Sequence, residues 1–441
     1  MTISYSASGT GALPKSRRSA QKSARGPSYF EWFFAAFTLI TYQGAFFPVL
    51  RTLRQGTMSA AFDQAAEAGD PVARYALLAI ILITLWLTLA RWREMVPALK
   101  AAWPFWVFIV LCISSATWSD NPELAFRRSI SLFGSFLFGA YAFTRFGAQR
   151  FILLVAIIVG IAAFCSLVLL LLSPTLANDP SYFVTNAVRG VYSQKNQMSA
   201  YSLLGLCAAL AALFLEKNDD GRIKIALVLS TVLLFAALVL SRGLSSIVAF
   251  ASVLLLMLVY YDKIHWKARF VIGYCVLILV ILIGFMVWTD SDDMLSLVGK
   301  DASLTGRMPL WIESVKAISL RPLLGYGYIT FWDPESVRTR YIWQVIGWPA
   351  PGSHDGYLDL MLGVGVIGAG YYVCLCWRAA ILAIKYAKYN VPGVKWFIMY
   401  CAAMFIINID EGTIAWPDAI AIQLAFGYCM VEAIRAKRRG I

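Results

Sequence analysis

Charged residues are scarce in this chain of 441 residues: Asp, Glu, Lys and Arg together make up only 14% of it, whereas hydrophobic residues make up 60%. The mean hydropathy is +0.68. A soluble domain carries charge on about a quarter of its residues. The scarcity of charge therefore excludes a soluble globular protein and indicates a polytopic membrane protein.

Long apolar runs supply the helices that such a protein needs. An α-helix crosses about 30 Å of hydrocarbon with roughly 20 apolar residues, and about twelve stretches meet this requirement. We therefore expect an all-α polytopic membrane protein with about twelve transmembrane helices. The predicted spans are 33–50, 73–90, 101–118, 127–144, 151–172, 198–215, 223–240, 245–261, 268–289, 357–377, 396–409 and 418–434.

Basic and acidic residues are distributed unevenly between the segments that join these spans. With the N-terminus inside and the spans alternating, most Lys and Arg lie on the inner side, as at Arg91 and Arg93, and most Asp and Glu lie outside, as at Asp120 and Glu123. Positive charge marks cytoplasmic loops, so both termini are predicted to be cytoplasmic. The net charge of +13 then faces anionic lipid, and no nucleic-acid partner is predicted.

The sequence also lacks the patterns of a disulfide framework or a metal site. All eight cysteines fall inside apolar spans, with no zinc-ligand spacing, so no metal or cofactor is predicted. Asp290, Asp292 and Asp293 border a span and are interpreted as a solvated loop. Residues 1–28 are polar and basic without a cleavage-site pattern, which predicts a disordered cytoplasmic arm before a single integral membrane domain, 29–441.

The largest outer loop, 290–353, lies between the ninth and tenth predicted spans. Long loops often carry function. Within it, the spacing of apolar residues predicts a helix over Met308–Leu320 that lies on the outer membrane surface, with Pro309 in its first turn. An irregular stretch rich in Tyr and Trp is expected to follow. These aromatic residues suit either the lipid headgroup region or sugar stacking.

Basic residues recur at the outer ends of the predicted spans. Arg242 is the most informative, because Ser241-Arg242-Gly243 joins two spans with almost no loop and holds a guanidinium near the hydrocarbon, where a charge needs an anionic partner. That partner is either an ordinary carboxylate or a bound phosphate, which arginine grips with two hydrogen bonds. The other outer basic residues that we consider are Arg189, Lys195 and Arg307.

Histidine is rarer still, and His354 is one of only two in the chain. A neutral imidazole can accept a proton near pH 7. His354 follows Ser353, which we predict to cap the tenth span, and the positive end of that helix dipole favours a neutral ring. Asp355 opposes this effect and is a candidate to orient the ring. The alternative is an interfacial histidine without a catalytic role.

A series of short motifs follows one another along the chain. They are Trp118-Ser119, Pro122-Glu123-Leu124-Ala125-Phe126-Arg127-Arg128, Arg189-Gly190-Val191-Tyr192, Lys195-Asn196, Ser241-Arg242, Gly306-Arg307, Leu310-Trp311, Pro322-Leu323-Leu324-Gly325-Tyr326-Gly327, His354-Asp355-Gly356-Tyr357-Leu358-Asp359 and Gly365-Val366-Ile367-Gly368. In these motifs the sequence resembles the O-antigen ligase and O-antigen polymerase superfamily of bacterial inner-membrane proteins, and within it the exopolysaccharide-polymerase branch. The resemblance covers most of the chain from about the fourth span onward.

The resemblance implies a glycosyltransferase that joins oligosaccharide repeat units carried on polyprenyl pyrophosphate, by metal-independent inverting transfer at the outer face of the inner membrane. His354 matches the proposed base, and Arg242 and Arg307 match arginines that handle the pyrophosphate. We expect Arg189, Lys195, Asn196, Arg128 and Tyr357 to bind substrate. Family members often have His-Lys-Asn where this chain has Gln194-Lys195-Asn196, so His354 is its only outer histidine.

Two other functions remain open at this stage. A ligase would pass glycan from the same donor to a lipid A-core or protein acceptor, and the motifs do not separate it from a polymerase. A transporter of lipid-linked sugars fits the number of spans, although carriers often keep charges near the bilayer midplane. The partners are the lipid-linked glycan and the bilayer, with a chain-length regulator and export machinery as open candidates.

Overall fold

The computed structural model describes residues 26–55, 70–179, 187–216, 220–260, 304–414 and 416–439. Within these ranges the chain is almost entirely helical, and one isolated bridge joins Asn178 to Val188. The predicted all-α class is confirmed. The main helices are α1 (Tyr29–Tyr42), α2 (Phe47–Gln55), α3 (Pro71–Ala90), α4 (Trp92–Ala101), α5 (Trp103–Ser114), α6 (Pro122–Leu172), α7 (Lys195–Leu210), α8 (Gly221–Leu240), α9 (Leu244–Tyr260), α10 (Leu304–Leu320), α11 (Val337–Ile346), α12 (Gly356–Ala387), α13 (Val394–Ile407) and α14 (Ala419–Arg439).

Within the described residues, six helices are long and apolar enough to cross a membrane, or up to eight if each of two bent pairs counts as one span. Helices α1 and α2 meet at 70°, and α4 and α5 meet at 78°. Helices α9 and α13 are apolar but shorter. The multi-pass membrane architecture is confirmed, whereas the number of about twelve stays a prediction, because several predicted spans are bent or short and 268–289 lies outside the described residues.

Helix α6 contains two of the predicted spans. Its 51 residues would measure about 75 Å if straight, more than twice the hydrocarbon thickness. Gly147 interrupts it with φ 66° and ψ 172°, a conformation that side chains with a Cβ rarely adopt. The predicted spans 127–144 and 151–172 therefore lie on either side of this break.

Helix α14 packs closely against α6 because small residues line the contact. A Cβ added at Gly139 would lie 2.6 Å from the carbonyl oxygen of Ile422 and 2.7 Å from the Ala425 Cβ. Further along, the rings of Phe151 and Phe426 stack with their centroids 4.0 Å apart. Close backbone approach through glycine is the usual way in which membrane helices gain packing energy.

One end of the bundle, which we call the Glu31 end, is joined by buried charges. Glu31 is 1% exposed, and its carboxylate accepts hydrogen bonds from Arg145 Nε at 2.7 Å and the Tyr141 hydroxyl at 2.6 Å. Arg91 lies 3.5 Å from the same carboxylate. The predicted alternation places residues 31, 91 and 145 on one side, and these contacts agree with it.

The largest predicted outer loop differs from expectation in one respect. The predicted helix over Met308–Leu320 is present and begins earlier, at Leu304. The stretch after it, predicted to be irregular, contains a second helix, α11, which ends at Gly347 in the left-handed conformation with φ 81°. Residues 290–303 of this loop, and residues 1–25 of the predicted basic arm, lie outside the described residues.

Candidate active site

A break in α12 receives the loop that follows α10. Gly365 interrupts α12 with φ 67° and ψ −179°, which leaves carbonyl groups of the preceding turn without helical partners. The N–H of Tyr326 donates to the carbonyl of Leu362 at 2.8 Å, and the N–H of Gly327 donates to that of Gly363 at 2.9 Å. The Pro322–Gly327 motif thus completes the broken turn and fixes the loop against α12.

The same loop is clamped to the segment before α6. The N–H of Tyr328 donates to the Ser115 hydroxyl at 2.9 Å, and the hydroxyls of Ser119 and Thr330 are 2.9 Å apart. Arg128 donates to the carbonyl of Ile329. These bonds join motifs about 200 residues apart in the sequence and fix the loop against the start of α6.

His354 lies immediately before α12, in a strained conformation. Its φ of 55° falls in the left-handed region, which is uncommon for residues other than glycine and often marks functional sites. The helix cap is Asp355, whose carboxylate accepts from the N–H groups of Tyr357 and Leu358. The prediction that Ser353 is the cap was wrong, because the Asp355 side chain satisfies two N–H groups of the first turn. Asp355 is thereby occupied with backbone, and the ring partner of His354 is elsewhere.

Two tryptophans and one carboxylate hold the backbone beside His354. Asp359 Oδ1 accepts from the N–H of Ser353 at 2.9 Å and from Trp332 Nε1 at 2.8 Å. Trp311 Nε1 donates to the carbonyl of Ser353 at 2.9 Å. Since both groups of the Ser353 backbone are bonded, the strained residue that follows has a defined position.

The turn between α13 and α14 brings a carboxylate to His354. The side-chain oxygen Oδ1 of Asn408 accepts from the N–H groups of Thr413 and Ile414 at 2.8 and 2.6 Å. The backbone carbonyl of Asn408 accepts from the N–H of Gly356. This turn places Glu411 Oε2 3.7 Å from His354 Nδ1. At that distance the carboxylate is close to the ring, but the separation is longer than a hydrogen bond.

Arg307 of α10 contacts the same turn. Its guanidinium pairs with the Asp410 carboxylate and lies 3.8 Å from Glu411 Oε1. Burial alone would raise the pKa of Glu411, but the interaction with His354 and the charges of Arg307 and Lys195 lower it below its ordinary value. Glu411 is therefore an anion at neutral pH. The sequence left open whether an outer arginine pairs with a carboxylate or with a phosphate. Arg307 pairs with carboxylates.

Two further cations lie near this group, Lys195 beside Glu411 and Arg242 beside Lys195. Lys195 begins α7 and interacts electrostatically with Glu411, Arg307, Arg242 and Asp179; its N–H donates to Asp179 at 2.6 Å. Arg242 is exposed in the tight turn between α8 and α9, with φ 53°. The structure thus brings together four of the predicted residues, His354, Arg307, Lys195 and Arg242.

The other predicted residues lie outside this group. Arg189 is 3% exposed, and its guanidinium donates to the carbonyls of residues 176 and 193. The Tyr357 hydroxyl donates to the carbonyl of residue 405. These contacts hold backbone in place, so we now expect positioning roles for both residues. Asn196 and Arg128 line a neighbouring cavity instead.

That cavity has a volume of about 550 Å³ and lies among α1, α3, α6, α7 and the segment that leads into α14. Glu411, Gly412 and Thr413 form the wall that it shares with the His354 group. Trp416 lines it too, with the Arg128 guanidinium 5.6 Å from its ring. The candidate site therefore has a charged region around Glu411 and a larger amphipathic space beside it.

Glu411 and Asp410 are the functional candidates that sequence reasoning missed. Both belong to the acidic residues on the predicted outer side, which they share with His354, and they lie in the turn that follows α13. No spacing in the sequence indicates the Asn408 turn that aims Glu411 at the ring. Among the residues that the structure describes, no three His, Cys, Asp or Glu side chains are grouped to hold a metal ion.

Two comparisons with known proteins found sequence similarity to this chain. A family model described as O-antigen ligase matches residues 229–373, a range that includes Arg242, Arg307 and His354. The exopolysaccharide production protein ExoQ of Rhizobium meliloti (strain 1021) is 28% identical over 280 residues, covering 60% of this chain. The match spans 61% of that relative, about three fifths of its length.

The basic residues near His354 belong to the motifs that carry the resemblance, whereas Asp410 and Glu411 do not. The resemblance of the chain to the superfamily of O-antigen ligases and O-antigen polymerases is confirmed by both comparisons.

Proposed function

We propose that this protein is a polysaccharide polymerase that joins polyprenyl-pyrophosphate-linked oligosaccharides at the outer face of the bacterial inner membrane. The observation that carries the proposal is the contact of the His354 imidazole with Glu411, which also contacts Arg307. A base beside an anion-binding group, at the outer end of a membrane bundle, suits the transfer of a glycan from a phosphate leaving group.

In this proposal the negative charge of Glu411, 3.7 Å from Nδ1, favours the tautomer with the proton on Nδ1, so that Nε2 has the free lone pair. We assign this tautomer from the position of the carboxylate. Nε2 removes the proton of an acceptor sugar hydroxyl as that oxygen bonds to the anomeric carbon of the donor. The bond from this carbon to the pyrophosphate oxygen breaks with its electron pair. One displacement of this kind inverts the anomeric configuration.

Arg307, Arg242 and Lys195 stabilise the pyrophosphate that leaves. Arginine donates paired hydrogen bonds to phosphate oxygens, and cations already in position cost no rearrangement when charge develops. The carboxylates of Asp410 and Glu411 hold Arg307 before the donor arrives. Because these side chains supply the positive charge, the proposed transfer is independent of a metal.

A ligase is the second candidate function. The two comparisons differ in the function that their descriptions suggest. The matching family model is described as O-antigen ligase, whereas the curated relative is an exopolysaccharide production protein. The chemistry at His354 is the same in both, and only the acceptor differs. We favour the polymerase because the similarity to that relative extends over 60% of this chain, beyond the range of the family model.

The test is an assay of the purified protein in liposomes, with a lipid-pyrophosphate oligosaccharide as the sole substrate and a chelator present. The proposal predicts longer lipid-linked glycans and an inverted anomeric linkage in the product. Lengthening only after a lipid A-core or protein acceptor is added would establish the ligase instead. Movement of the lipid between leaflets without any new glycosidic bond would establish a transporter and refute both enzymatic functions.

A further inference from the structure

The amphipathic cavity beside the candidate site has an apolar side that opens outward between α3 and α6. Tyr75, Leu78 and Phe126 line it and remain 72%, 48% and 51% exposed. Ile81 and Ile130 lie on the same wall. In a membrane protein such a surface meets hydrocarbon chains, and about 550 Å³ is within the range of ligand pockets.

The rim of this cavity carries its own cations. Arg74 and Arg127 line it and lie 3.6 and 3.7 Å from one carboxylate oxygen of Glu123. Glu123 is 82% exposed, and an exposed ion pair of this kind contributes little. A phosphate can therefore bind both guanidinium groups more strongly than this single carboxylate does.

The two cation groups are distinct. Arg74 and Arg127 belong to α3 and α6, and neither contacts Glu411, whereas Arg307 does. The wall of Glu411, Gly412 and Thr413 separates the cavity from His354. The donor pyrophosphate must lie at the reacting carbon, so it belongs with Arg307. A phosphate on Arg74 and Arg127 must come from a different molecule.

We propose that the cavity binds the lipid anchor of the acceptor, an isoprenoid chain whose phosphate rests on Arg74 and Arg127. This inference rests on the proposed function, because a reaction between two lipid-linked glycans requires two lipid sites. The acceptor reacts through a hydroxyl far from its own phosphate. Its anchor can therefore occupy this separate cavity while its distant sugar reaches His354.

Photolabelling tests the site without turnover. The probe is a farnesyl monophosphate with a photoreactive group at the end of its chain, applied to the purified full-length protein in nanodiscs, and labelled peptides are mapped by mass spectrometry. We expect label on α3 and the first part of α6. Leu78→Trp, which fills the cavity, should reduce it about tenfold, as should the double variant Arg74→Gln, Arg127→Gln.

Matched variants separate this site from other effects. Leu82 lies on the same helix, is 56% exposed and does not line the cavity. Labelling should therefore persist in Leu82→Trp. The double variant Arg307→Ala, Arg242→Ala should also leave this label unchanged. Loss of the label in that variant would assign the cavity to the donor chain and overturn the proposal. Equal displacement of the probe by phosphatidylglycerol or by inorganic phosphate would also overturn it.

The acceptor assignment has its own readout in the transfer assay. An acceptor-only substrate is a lipid-linked repeat in which a methylene group replaces the glycosidic oxygen, so that its phosphate cannot leave. Leu78→Trp should raise the KM for this substrate about tenfold and leave the KM for the donor unchanged. A rise in the donor KM instead would refute the assignment. Because labelling does not depend on turnover, failed labelling and failed transfer are separate results.

Discussion

Glu411→Gln is the substitution that examines the proposed base most closely. The amide keeps the volume of the side chain but removes the charge 3.7 Å from His354 Nδ1. It can also present N–H instead of oxygen to the ring, which favours the wrong tautomer. Positioned general bases are worth about 10²- to 10⁴-fold in rate, so we expect kcat to fall about 10²-fold.

The same change should act in the opposite direction on donor binding. At 3.8 Å, and with an effective dielectric constant of about 20, the attraction between Glu411 and Arg307 is roughly 4 kcal/mol before desolvation is counted. Only a fraction of this remains after the desolvation cost. Without that charge Arg307 is more available to phosphate, so the KM for the donor should fall a few-fold.

The assay is steady-state transfer by the purified protein in liposomes, with kcat and donor KM determined separately. Glu411→Asp should recover part of kcat, because it restores the negative charge at a longer distance from the ring. Glu335→Gln is the matched control, since Glu335 is an exposed carboxylate on the loop before α11. A kcat for Glu411→Gln equal to that of the control would refute the orienting role of Glu411.

Two further predictions concern stability and pH. Gly365→Ala should lower the thermal unfolding temperature and abolish transfer, because its Cβ would lie 2.1 Å from the carbonyl oxygen of Leu323 at a φ of 67°; Gly370→Ala, with nothing within 4 Å of its Cβ, should unfold at or above the wild-type temperature. Burial raises the pKa of Asp418 to about 7, so the native state holds this proton more tightly than the unfolded state and stability should fall as pH rises from about 4 to about 7. Thermal unfolding across this pH range should show that fall, and Asp418→Asn should reduce it; an unchanged slope in the variant would contradict the assignment.

Most helices were predictable from the sequence because an apolar run in lipid must satisfy its own backbone hydrogen bonds, which a helix does. The bends within and between helices were harder to predict from the sequence. The break at Gly147 has the same composition as ordinary short connections, and hydropathy alone does not distinguish two spans from one bent helix. Helix α11 was missed because its Tyr and Trp content was interpreted as an irregular loop. Ser336 before it and Gly347 after it are positions that typically cap helices and could have indicated it.

The candidate site was predicted only in part. His354, Arg307, Arg242 and Lys195 were expected from their shared outer side. Arg242 lies near Lys195, and the other three lie around one carboxylate. That carboxylate was not identified, because its approach depends on a turn held by the side chain of Asn408. Arg189 was predicted to bind substrate, but it is buried against backbone carbonyls. Its motif alone does not distinguish a substrate-binding arginine from one that holds the backbone, whereas the fold does.

The central claim is that His354 removes the proton of the acceptor hydroxyl, and single-turnover transfer by His354→Ala tests it most directly. With donor and acceptor already bound at saturation, the account predicts a rate of glycosidic bond formation lower by about 10²-fold or more, with donor binding unchanged. Transfer by His354→Ala at the wild-type rate would contradict the account.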